Sequence, residues 1–201
     1  MTQSLKKQVF EIREIEDYYY KFYKSQRKIR PLVLDYLFRN FCFVTKREKI
    51  RVLSYSEYEQ INHELDVPIP LIHKFISKFL VDLVRFRKFL KHDSTVLFSK
   101  KQTQKVVKIF LHKIYHLAPM FNYNRAKQNA EILRKKLDRL CFQPQIMTQI
   151  AVIVFITDFL DKTKAQKAIQ SNVRALCSSS AYTYHRTRNK IGISKSDLAK
   201  I

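Results

Sequence analysis

A single glycine, Gly192, stands among 201 residues, with only five prolines beside it. Sheet-rich folds turn tightly and often, and tight turns draw heavily on glycine. A chain this poor in glycine is expected to be all-α, with helices joined by short polar loops. Hydrophobic residues make up 46% of it, so it should fold rather than stay disordered. Its length suits one good core or two small ones.

Charge narrows the partner. The chain carries 39 Lys and Arg against 17 Asp and Glu, a formal net charge of +22. That surplus exceeds what surface solubility requires. It implies a polyanion, with nucleic acid ahead of an anionic membrane. The most apolar run, "IMTQIAVIVFITDFL" at 146–160, is broken by Thr148, Gln149, Thr157 and Asp158. It falls short of the ~18 residues a membrane span needs and reads as a buried core helix, so no membrane partner is expected. The start, "MTQSLKK", lacks the apolar run of a secretory signal. Cys42, Cys141 and Cys177 are scattered without a C-x-x-C pair. This argues against a disulfide framework or a zinc ribbon and for a reducing, intracellular setting: the nucleus, or a cytoplasmic replication site if the chain is viral.

Apolar positions recurring at three and four predict the helices. One covers 9–25. A second covers 32–44, opened by Pro31. A third is capped by Ser54 or Ser56, with Glu57 or Glu59 completing a capping box, and presents Tyr58, Ile61 and Leu65. "DVPIP" stops it, because residues before proline avoid the α region. A fourth begins near Pro70 with Leu71, Ile72, Phe75, Ile76, Phe79 and Leu80, and runs toward Leu90. These two form a helix-turn-helix. "KHDST", at 91–95, divides the chain. Further helices are predicted over 100–117, 125–140, 146–160 and 168–184. "RTRNKIGISKSDLAKI" reads as a loop and the start of one more helix.

Two stretches echo each other. "KIRVLSYSEYEQI" at 49–61 parallels "KIGISKSDLAKI" at 190–201, pairing Leu53 with Ile193, Ser54 with Ser194, Ser56 with Ser196, Glu57 with Asp197, Tyr58 with Leu198 and Ile61 with Ile201. Each follows a basic loop and a helix bearing a Tyr and a Cys. This predicts two copies of one helical unit, 140 residues apart. The pattern resembles the cyclin-type repeats of the transcription factor TFIIB and its archaeal counterparts. The chain from "LDRLCFQPQIMTQIAVIVFITDFL" to its end runs close to the second repeat, with "CSSSAY" at 177–182 where the family has an Ala-rich helix ending in Tyr. The resemblance covers most of the chain. It implies two tandem cyclin-like repeats: the first at 8–90, incomplete at its start and ending in the helix-turn-helix, the second at 120–201, truncated before its last recognition helix. A linker with an extra helix, 91–119, lies between. The family's zinc ribbon has no counterpart in the three cysteines.

The resemblance implies a transcription initiation factor core that bridges double-stranded promoter DNA, a TATA-binding protein and RNA polymerase. By position, Lys28 and Arg30 in "RKIR" and Lys164 and Lys167 in "DKTKAQK" inherit phosphate contacts at helix starts, where backbone amides add to the pull. From the residues alone, the helix-turn-helix exposes His73, Lys74, Ser77 and Lys78. Lysine is a point charge without a bidentate fork, which suits phosphate better than base edges. "RTRNK" adds Arg186, Arg188 and Lys190. The plainer readings are a packing corner and solvated charge runs. His112 and His116, four apart, could start a metal site, but no third ligand lies nearby. One glycine cannot build a phosphate-cradling loop. Glu14, Glu16 and Asp17 read as a solvated face rather than an acid–base pair. No enzyme activity, metal or cofactor is expected. Two rivals stand beside the TFIIB-like reading: a sequence-specific helix-turn-helix protein, such as a replication initiator or a viral or plasmid regulator, and a cyclin-like adaptor that binds only protein.

Overall fold

The computed structural model describes residues 26–45, 47, 49–93, 100–160 and 166–192. Among these the fold is all-α: helix α1 over 26–40, then α2 (Tyr55–Leu65), α3 (Ile69–Asp93), α4 (Lys100–Leu117), α5 (Tyr123–Arg139), α6 (Ile146–Asp158), α7 (Gln166–Leu176) and α8 (Ala181–Ile191). The described residues hold no strand, only an isolated antiparallel bridge between Val44 and Ile50. The helix predicted over 9–25 and the repeat copy at 193–201 lie outside the described residues.

Helix α2 starts as its sequence predicts. Ser54 accepts the Glu57 N–H on its side chain, and the Glu57 carboxylate accepts the Ser54 N–H at 2.8 Å, a full capping box. Glu57 also grips the Arg51 guanidinium with both oxygens, at 2.8 and 2.6 Å. That guanidinium holds the Glu57 carboxyl down at about 2. Arg51 Nε reaches back to the Cys42 carbonyl at 2.6 Å, so the extended segment after α1 is tied to the start of α2. Asp66 ends α2 in the left-handed region (φ 51°). Asn62 Nδ2 donates to the Val67 carbonyl at 2.9 Å, and α3 begins two residues later.

Helix α6 is the centre. Ten of its thirteen residues are buried. A helix apolar all round must be enclosed on all sides, and α4, α5, α7 and α8 pack around it. Its polar groups are satisfied inside: Thr157 Oγ1 donates to the Ile153 carbonyl at 2.7 Å and accepts from Asn129 Nδ2 at 3.0 Å, and Thr148 shares a hydrogen bond with Ser179 at 3.1 Å. Helix α1 joins the same core. Phe38 meets the rings of Phe43, Phe79, Phe121 and Phe159 at 5.0, 5.7, 5.6 and 6.2 Å. One apolar cluster therefore runs from Val33 to Ile191.

Four sequence expectations need correction. Helix α1 runs through Pro31 instead of opening there, and residues 91–93 are the last turn of α3 instead of a linker. The single helix expected over 168–184 is two. Ser178 turns the chain at φ 50°, and Ser180 caps α8 by accepting the Thr183 N–H at 3.3 Å. Serine hydroxyls compete for backbone partners and favour caps and turns, so "CSSS" breaks the helix. "RTRNK", expected as a loop, lies within α8, which Gly192 closes in the left-handed region (φ 54°), the one place where the chain uses glycine's conformational freedom.

Two helix pairs also correspond at an offset of 111 to 112. Helices α2 and α7 each have 11 residues and end on leucine. Each is followed by a turn with one left-handed residue, Asp66 or Ser178, and then by α3 or α8. Buried positions coincide: Tyr58 with Ile169, Ile61 with Asn172, Ile72 with Tyr184, Phe75 with Thr187 and Phe79 with Ile191. Among the described residues, α2–α3 and α7–α8 are thus two helix-pair units with a similar pattern of buried positions.

Candidate nucleic-acid interface

In this register two surface triads occupy the same places. Helix α3 carries His73, Lys74 and Lys78, and α8 carries His185, Arg186 and Lys190; all six are exposed. Both read His-basic-x-x-x-Lys. Lys74 and Lys78 sit one turn apart, off the face that buries Ile72, Phe75, Ile76 and Phe79. Arg186 and Lys190 are placed likewise relative to Tyr184, Thr187 and Ile191. The ring of Phe142 steadies this second pair, with Arg186 Cζ 5.8 Å and Lys190 Nζ 4.4 Å from its centroid. His73 lies beside the Tyr58 ring at 5.6 Å, with Nε2 3.4 Å from the Ser77 hydroxyl.

The field around α8 is positive. No acidic residue occurs between Asp161 and Asp197. Burial, then the charges of Arg174 and Arg188, hold His185 below the usual histidine range. Helix α2 differs: it carries Glu57, Glu59 and Glu64 and no Lys or Arg. The two units are tied together where Arg87 Nε of α3 donates to Ser178 Oγ in the α7–α8 turn at 3.2 Å.

The other expected contact residues divide. Lys28 on α1 and Lys167 in the first turn of α7 are exposed, and Lys164 lies outside the described residues. Arg30 is partly buried, and its Nη2 donates to the Leu117 carbonyl at 3.2 Å, satisfying one of the orphan carbonyls that close α4. Arg188 is turned back over the rings of Phe155 (4.7 Å) and Tyr184 (5.9 Å). These two arginines tie helices together with part of their donor capacity. Sequence reasoning missed His185, and also Arg85 and Lys88, which α3 exposes further along. His185 was recoverable from the shared His-basic-x-x-x-Lys spacing. No group of three or more potential metal ligands occurs among the described residues.

One acid beside α1 has an unusual environment. Asp158, at the end of α6, accepts the Asn122 N–H at 3.4 Å, and its second oxygen is buried without a hydrogen bond. Burial pushes its carboxyl up to about 6, helped by Asp35, against the Asn122 N–H, Arg125 and Arg39. A folded carboxyl that binds its proton more tightly than the unfolded one destabilises the fold once ionised. The cost is absent below about pH 4, grows between 4 and 6, and is full above 6. Asp158→Asn should therefore stabilise the protein by about 1–2 kcal/mol at pH 8, after allowance for residual solvent. The gain should vanish near pH 4. Urea denaturation of both proteins at the two pH values checks this.

Comparison with family models, with curated proteins and with solved structures gives no match to this chain, so the function is argued from the site itself.

Proposed function

We propose that the chain is a double-stranded DNA-binding protein and, more specifically, a TFIIB-like initiation factor core that grips promoter DNA with two helix-turn-helix units. The observation that carries this reading is the exposed His-basic-x-x-x-Lys triad repeated on the second helix of both units. In a helix-turn-helix the second helix is the one that approaches DNA. Cations at the same two helical positions suit phosphates on either side of a bend, where neutralisation releases counterions and offsets the cost of deforming the duplex.

The two units differ in what they offer. The acidic side chains of α2 would be repelled by a phosphate backbone, whereas α7 carries Lys167 and Arg174 and no acid. The α7–α8 unit therefore takes the closer grip. Arg186 is the one triad member with a bidentate fork, so any reading of a guanine edge falls to α8. The acidic helix α2 is left for protein partners, which the family resemblance implies are a TATA-binding protein and RNA polymerase.

A gel-shift titration on a TATA-containing duplex, with and without a TATA-binding protein, at low and high salt, tests the reading. A ternary complex that needs the partner and weakens steeply with salt is the expected result. Binding to DNA with no gain from the partner would replace it with a free-standing initiator or regulator. Absence of DNA binding at low salt would overturn it in favour of a protein-binding adaptor.

A further inference from the structure

Four aromatic rings stand together at the surface where α4 ends and α5 begins. His112 and His116 are one turn apart, their ring centroids separated by 4.4 Å, edge to face. Tyr123, the first residue of α5, meets His112 at 5.4 Å and Tyr115 at 6.1 Å. Tyr115 meets His116 at 5.8 Å. His112, Tyr115 and His116 are exposed, and Tyr123 is half-buried. None of the four is needed to hold α4 in place, because that helix packs through Val107, Phe110, Leu111, Ile114 and Leu117.

We propose that this cluster is a stacking platform for the unpaired bases of single-stranded nucleic acid. Every base has a π face, so stacking on exposed rings is sequence-tolerant, whereas bases in a duplex already have their faces covered. The charge around the rings matches a phosphate backbone. No acidic residue occurs over residues 94–130. Lys127 Nζ lies 4.7 Å from the Tyr123 ring centroid, and Lys105 and Arg125 are exposed on the same two helices. A metal is the other ligand a histidine pair suggests, but two ligands make an open, weak site, and Tyr115 and Tyr123 would be idle in it. The platform is separate from the triads of α3 and α8. Its helix nevertheless packs on α3, where Phe89 meets Phe110 at 6.0 Å and Lys113 Nζ lies 3.5 Å from the Phe89 ring centroid. Duplex and single strand would be held by adjoining elements.

The chain has no tryptophan, so Tyr115→Trp places a sole indole reporter within the cluster. It is titrated with an oligothymidylate of about 12 nucleotides, with the matching oligouridylate, and with an abasic oligomer of equal charge. Saturable quenching by a base-bearing oligomer and none by the abasic one is the expected result, and the sugar preferred assigns the platform to DNA or RNA. His112→Ala and Tyr123→Ala should each weaken oligothymidylate or oligouridylate binding about tenfold, Tyr123→Phe should restore it, and duplex binding should not change. Equal quenching by the abasic oligomer, or wild-type single-strand affinity in His112→Ala, would overturn the platform while leaving the duplex reading to its own gel-shift test.

Discussion

Replacing Lys74, Lys78, Arg186 and Lys190 together with alanine should flatten the salt dependence of duplex binding by about 3.6 in the slope of log K against log salt. Each neutralised phosphate contributes about 0.9 to that slope, because each displaces condensed counterions. At about 0.1 M salt the same four contacts correspond to a loss in affinity on the order of a thousandfold. The fold should be little affected, since all four side chains are exposed and surface changes of this kind usually fall within about 0.5 kcal/mol. Splitting the variant locates the grip. If both second helices face DNA, the Lys74/Lys78 pair and the Arg186/Lys190 pair each remove about half of the slope. A loss confined to the second pair would leave only the α7–α8 unit on DNA, and an unchanged slope in the fourfold variant would sink the phosphate reading. Arg186→Lys separates charge from fork: it should keep the slope, and it should lose about 1–3 kcal/mol of discrimination only if α8 reads a guanine edge.

The helices were legible where their signals were local. Residues 100–117 form a helix with the predicted bounds, the Ser54–Glu57 capping box forms as written, and the run at 146–160 becomes the buried centre of the fold. These depend on spacing within one or two turns. The errors arose where two signals competed. Apolar and small residues continue across 176–182, and a helix pattern reads straight through them. Ser178 nevertheless turns the chain into the left-handed region and the Ser180 hydroxyl accepts the Thr183 N–H, so the chain breaks there. That single break hid the boundary between α7 and α8. The site was half-legible for the same reason. Lys74, Lys78, Arg186 and Lys190 could be named as exposed cations, but their equivalence needs the register. The packed roles of Arg30 and Arg188 depend on a carbonyl and two rings distant in sequence.

The residue that ties α7 to the end of α1 should be the most costly one to replace. Asn172 of α7 is fully buried. Its Nδ2 donates to the carbonyls of Phe38 at 3.1 Å and Phe41 at 2.6 Å, and its Oδ1 accepts the Phe43 N–H at 3.2 Å. These three backbone groups lie where α1 ends, and a helix end leaves carbonyls that its own turns cannot satisfy. The matching place in the first unit is Ile61, so Asn172→Ile substitutes the residue that the same helical position accepts 111 residues earlier. The helix itself would tolerate isoleucine, but the three backbone groups would not. A buried donor or acceptor left unpaired costs about 1–3 kcal/mol; with partial relaxation of the loop, the total should be about 3–5 kcal/mol. A fall in the urea midpoint with an unchanged m-value would show it. A loss below about 1 kcal/mol would mean that the segment after α1 is held by Arg51 and the Cys42 carbonyl rather than by Asn172.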